Sequence, residues 1–116
     1  MKKVFRVQDE SGRGPFQPGI TAKWICSDKT NLPPFYVEMP NVLNEIKKAT
    51  QGHFGCGCTS IEQLEKWFNN TELNRLDEMG FHVVEIPVDR IICESLVQCV
   101  FYRKQALNIG IKKIKI

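Results

Sequence analysis

Apolar and polar positions alternate over residues 3–9, KVFRVQD, and predict a β-strand. Phe5 and Val7 share one face of it; Val4, Arg6 and Gln8 share the other. The period then breaks. Residues 10–19 carry Gly12, Gly14, Pro15, Pro18 and Gly19 and predict a loop. TAKWIC at 21–26 reads as a short extended or irregular segment, and SDKTNLPP at 27–34 as a second loop. A helical period follows. Val42, Leu43, Ile46 and Ala49 form a stripe over 40–50, with Pro40 suited to a first turn and Gln51-Gly52 as the stop. GHFGCGC is broken by glycines and has room for one short strand. TSIEQLEKWF at 59–68 predicts a second helix, with Thr59 and Glu62 at capping-box spacing and Ile61, Leu64 and Phe68 facing inward. Asn70 is the expected cap of a third helix, TELNRLDEM, which buries Leu73, Leu76 and Met79 and ends at Gly80. FHVVEIPV at 81–88 predicts a strand whose end Pro87 pushes toward a sheet edge. LVQCVFYR at 96–103 has the strongest strand composition, and IGIKKIKI offers a last strand. The sum is an α+β fold: one small domain over 1–116, with an antiparallel or mixed sheet and three central helices.

Composition narrows the class. With 116 residues and 42% hydrophobic content the chain supports one domain with its own core. No apolar run has the length of a membrane span. The start, MKKVFRVQDE, is interrupted by Arg6 and Asp9 and does not read as a signal peptide, so a cytoplasmic protein is expected. A net charge of +3 suits a small anionic ligand better than a long duplex, which needs a broad cationic face. Five cysteines, an odd count, argue against a disulfide framework and for small buried apolar residues in a reducing compartment. The single-residue spacing of Cys56 and Cys58 is not a zinc-knuckle spacing, and His53 and His82 complete no metal set. No metal and no cofactor is expected.

Three stretches carry candidate chemistry. In the first loop, Arg6 and Arg13 offer guanidinium groups, while Gly12 and Gly14 allow close backbone approach; together they suit a phosphate or pyrophosphate. A surface turn with solvated arginines is the competing reading. Gln8 shares the Arg6 face and joins the same candidate site. The second stretch, GCGCTSIEQ, runs from glycines into a capped helix start, a weak anion signal because capping alone explains Thr59 and Ser60. The third is CESLVQCVFYRK, where Gln98 interrupts an apolar face, Arg103 closes the strand and Glu94 stands at its entrance. Phe16, Trp24, Tyr36 and Phe81 are candidate stacking partners for a nucleobase, each also a candidate core residue. No array of acid, base and nucleophile stands out, so binding is expected rather than catalysis.

The blocks RVQDESGRGPFQPG, GCGCTSIEQLEKWF, MGFHVVEI and ESLVQCVFYRK, in that order over about residues 3–105, resemble the first family of Thoeris anti-defence proteins of phages. That resemblance implies a sponge: a protein that binds a cyclic ADP-ribose isomer made by bacterial TIR-domain immune enzymes and holds it intact. It further implies a homo-oligomer in the cytoplasm of the infected host and, in some members, a separate site for cyclic oligonucleotides. Under it, Arg6 and Arg13 pair with phosphates, the Gly12 and Gly14 amides assist, Trp24 or Phe81 stacks on adenine, and Gln98 and Arg103 complete the pocket. A second resemblance, to ADP-ribosyltransferase-like domains, places Arg6, Ser60 and Glu94 or Gln98 around NAD. The short chain and a Ser60 at a helix start count against it. A protein-binding inhibitor without a small ligand is the third class.

Overall fold

In a computed structural model of the chain, residues 2–14, 40–48 and 51–115 are described. Phe16, Trp24, Tyr36 and the expected segments at 21–26 and 27–34 lie outside them. Six strands are described: β1 (Lys2–Gln8), β2 (His53–Gly57), β3 (His82–Val88), β4 (Arg90–Glu94), β5 (Cys99–Arg103) and β6 (Lys112–Lys113). Three helices are described: α1 (Val42–Lys48), α2 (Ile61–Trp67) and α3 (Asn70–Glu78). The class is α+β, and every described strand pairing is antiparallel.

One sheet has the order β1-β3-β6 and the other β2-β5-β4. Two features join them. Phe5 and Cys58 exchange backbone hydrogen bonds of 2.8 and 2.7 Å, which tie β1 to the end of β2. The chain also steps from β3 into β4 through Asp89 alone, whose N–H donates to Tyr102 O at 3.1 Å. Each face of β1 therefore serves a different core. Val4 is fully buried with Ile86, Val88, Cys99 and Phe101 between the sheets. Val7 packs with Cys58, Leu64, Phe68, Leu76, Phe81 and Val83 beneath the helices. Each such aliphatic or aromatic side chain contributes about 1.5–3 kcal/mol by leaving water.

Pro87 sits in the middle strand of its sheet rather than at an edge, and is tolerated there because β6 is only two residues long. Val83 O accepts from Ile114 N, so the backbone groups of residues 83, 85 and 87 face β6. β6 pairs only with Val84 and Glu85, and the missing N–H of Pro87 falls beyond its end.

The helix caps shift by one residue from their expected places. Ser60, not Thr59, caps α2: its Oγ accepts from Gln63 N at 3.2 Å, and Gln63 Oε1 accepts from Thr59 N at 2.9 Å. Asn69, not Asn70, caps α3 in a full capping box with Glu72. At the far end Gly80 (φ +91°) closes a Schellman motif, with Phe81 N donating to Leu76 O and Gly80 N to Asp77 O. Met79, expected to face inward, is the C-cap of α3 and is 39% exposed. β4 has no counterpart among the expected elements, and residues 96–98, expected as the start of a strand, lie in the turn between β4 and β5. That turn is held by Ser95 N to Gln98 O at 2.8 Å and, from α2, by Trp67 Nε1 to Val97 O at 2.8 Å.

Candidate functional site

Arg6 lies on the inter-sheet face of β1 with Val4 and Gln8, as the alternation required. Its guanidinium enters an apolar space, 5.8 Å from the centroid of the Phe101 ring. The space exists because β2 carries glycine where a side chain would collide. A Cβ at Gly55 would overlap Arg6 Nη1 and stand 2.6 Å from Phe101 Cζ. A Cβ at Gly57 would overlap Val4 and stand 3.0 Å from Phe5 O. The glycines of GCGC thus admit Arg6 and Val4 beneath β2.

Arg6 Nη2 donates to Gly12 O at 3.3 Å, while Nε and Nη1 are buried and have no hydrogen-bond partner among the described residues. Burial lowers the guanidinium pKa; Cys56, Asp9 and Cys99 oppose that shift. Gln8 is 1% exposed, its Nε2 donates to Leu107 O at 2.8 Å, and its Oε1 is likewise buried and unpartnered. Donors and an acceptor without partners thus lie two residues apart on one strand face. Such groups are rare in a folded core and mark a place where an outside group could be held.

The loop after β1 is built by Asp9. Its Oδ1 accepts from Ser11 N at 2.9 Å, Ser11 Oγ at 2.7 Å and Arg13 N at 2.9 Å. Burial pushes the carboxyl pKa upward, but those hydrogen bonds and the Arg13 charge win and hold it below its ordinary value. Gly12 adopts φ +90° and its N–H donates to Asp9 O at 3.0 Å. The Gly12 and Arg13 amides are therefore committed inside the turn and are not bare donors for an anion. What the turn presents to Arg6 is the Gly12 carbonyl.

The other expected site residues separate. Arg13 is exposed at the tip of the turn, and Gly14 lies 3.7 Å from Arg6 Nη2, measured to the place of its absent Cβ. Phe81 is 5% exposed in the helix-side core, so its ring packs on apolar neighbours rather than facing a base. Gln98 is 5% exposed in the turn before β5. Arg103 is 2% exposed and donates to Ala106 O (2.6 Å), Gln105 Oε1 (3.1 Å) and Ile109 O. It ties down the loop 104–110, and that loop supplies Leu107, which meets both Gln8 and Gly12. Arg103 thus supports the Arg6 face at one remove. Phe16 and Trp24 lie outside the described residues.

Cys56 on β2 and Cys99 on β5 act on Arg6, and Cys58 follows the end of β2. Burial pushes Cys56 up to about 11 and Cys58 and Cys99 to about 12. At neutral pH they are thiols, not nucleophilic thiolates. Among the described residues no group of His, Cys, Asp or Glu is arranged to hold a metal, and no helix is long and apolar enough to cross a membrane. Sequence reasoning missed the role of Gly55; only the spacing of glycines opposite an arginine-bearing strand hinted at it.

No curated protein and no solved structure matches the chain. The family model described as the bacteriophage T4 Y00F protein matches residues 1–115, and on that near-complete match the chain belongs to this phage protein family.

Proposed function

We propose that this protein binds and sequesters a small phosphate-bearing nucleotide signal of the cyclic ADP-ribose type, without turning it over. The observation that carries the reading is Arg6: a buried guanidinium with two nitrogens unpartnered among the described residues, beside an unpartnered Gln8 Oε1. A buried cation in that state is costly, and an anion that completes its hydrogen bonds would remove the cost. A donor–acceptor pair also suits a ligand with phosphate oxygens and hydroxyl groups together. Membership in a phage family agrees with a protein that withholds a host immune signal, acting as a homo-oligomer in the host cytoplasm. Because the Asp9–Gly14 turn rests on Arg6, ligand access requires that turn to lift.

The transferase reading needs the Ser60 hydroxyl at a substrate, whereas that oxygen accepts from Gln63 N as the cap of α2. The deciding experiment incubates the protein with a cyclic ADP-ribose isomer, denatures it by heat and analyses the supernatant. Recovery of the intact molecule, with depletion before heating, is the expected result. Conversion of the molecule, or nicotinamide release from NAD, sinks the sponge and favours an enzyme. Absence of binding to either favours a protein-binding inhibitor.

A further inference from the structure

The β2-β5-β4 sheet has a second face, turned away from Arg6, that the proposed site does not use. In the strand register Phe54 pairs with Tyr102, and Tyr102 pairs with Arg90. Two rings and a guanidinium therefore stand in one row across three strands, at the spacing of adjacent strands, about 4.8 Å. The Phe54 and Tyr102 centroids are 5.3 Å apart with planes tilted by 57°. Rings at that tilt do not clamp one flat ligand between them; each offers its own surface. Gly52, at φ +90°, lies directly against the Tyr102 ring, where any side chain would displace it. The ring is thereby held in place by backbone.

This row lines an open cleft of about 630 Å³. Lys48 of α1 and Lys104 beyond β5 border it together with Arg90. None of these three cations has an ion pair or side-chain hydrogen bond among the described residues. Two carboxylates are also present: Asp89 Oδ2 already accepts from Lys104 N at 2.8 Å, and Glu45 faces the cleft from α1. The balance is cationic, around aromatic surfaces, in a channel open to solvent. Aromatic platforms flanked by cations that track a backbone are the recurring design for single-stranded nucleic acid.

We propose that this cleft docks a short segment of single-stranded nucleic acid. Tyr102 and Phe54 each stack on one of two successive bases, Arg90 extends the platform, and Lys48 and Lys104 meet the flanking phosphates. Asp89 and Glu45 are acceptors for base N–H groups, the N3–H of uracil and thymine among them. An open cleft suits a chain that passes through it better than a free nucleotide, which is usually enclosed.

The test is fluorescence anisotropy with labelled oligouridylate and oligothymidylate of about eight nucleotides, within the usual site size of one small domain. Saturable binding to at least one is expected, weakened about tenfold or more in Tyr102→Ala. Lys104→Gln, an exposed change with no effect on the core, is expected to reduce the salt slope by about 0.7, one phosphate on a single strand. No binding at low salt overturns the proposal. So does equal affinity of wild type and Tyr102→Ala, or full competition by inorganic polyphosphate with unaltered Lys104→Gln, since either removes stacking or the assigned contacts. Displacement by uridine monophosphate at the same concentration as the strand also overturns it, in favour of a free nucleotide. None of these outcomes depends on whether cyclic ADP-ribose binds at Arg6.

Discussion

Gly55 lies against the guanidinium of Arg6 so closely that a methyl group on it would overlap Nη1. The two residues are far apart in sequence, and the Phe5–Cys58 bridge lays β2 beside β1. Gly55→Ala is therefore expected to cost about 1–3 kcal/mol, as overfilled cores do. Phe101 Cζ, 2.6 Å from the same point, limits escape in the other direction. A double-mutant cycle with Arg6→Ala reports the contact: the pair should be less destabilised than the sum of the singles. Simple additivity would show that the collision is relieved elsewhere.

Arg6→Met separates binding from stability. The buried cation has two nitrogens unpartnered among the described residues, and methionine fills similar space without charge. Replacing incompletely paired buried charges by apolar groups often stabilises by about 1–4 kcal/mol. Urea unfolding without ligand is expected to show a gain in that range, reduced by the lost bond from Nη2 to Gly12 O. Binding of the nucleotide should fall steeply in the same variant. A loss of stability in the ligand-free protein would make Arg6 a structural residue.

The fold was legible wherever local signals decide it. The alternation KVFRVQ placed β1 within one residue, and glycine after LDEM placed the end of α3. Caps moved by one because Ser60 and Asn69 have neighbours, Thr59 and Asn70, of equally suitable type. β4 escaped because RIICE follows β3 with only Asp89 between and has no two-residue period; a corner between sheets has no turn signature. For the site, Arg6 and Gln8 followed from strand parity. The uses of Gly12, Phe81 and Arg103 did not: Gly12 meets Leu107, remote in sequence, while Phe81 bonds back to Leu76 at the helix end and Arg103 gathers carbonyls of the loop that follows it, contacts that only the folded chain defines. The weak anion signal of GCGCTSIEQ rested on a helix start, whereas its glycines serve the close approach of Arg6 and Val4 beneath β2.

The Asp9 turn gives a prediction about access. Asp9→Ala removes three hydrogen bonds, to Ser11 N, Ser11 Oγ and Arg13 N. Net bonds of this kind contribute about 0.5–1.5 kcal/mol each, at the low end for a solvent-exposed turn. Hydrogen exchange at Gly12 and Arg13 should quicken, with little change at β3. If the turn covers the ligand, stopped-flow binding should show faster association and faster release. Unchanged rates with quicker exchange would remove the turn from the access route.

The thiols set an alkaline limit. Cys56, Cys58 and Cys99 have folded pKa values raised to about 11, 12 and 12 from an ordinary 9.0. Below pH 9 they are protonated in both states, and their burial as neutral groups contributes fully. As pH rises past 9 the unfolded chain releases these protons first, so it binds fewer than the native state and stability falls, continuing to about pH 12. Urea midpoints measured between pH 8 and the lower part of that window should decline, and Cys99→Ala should flatten the decline after correction for its own cavity cost. The same burial predicts that native protein at pH 8 reacts with a thiol reagent at Cys56, Cys58 and Cys99 far more slowly than urea-unfolded protein. Equal rates in the two states would show that the strands carrying these thiols open readily, and would place the Arg6 chamber in contact with solvent.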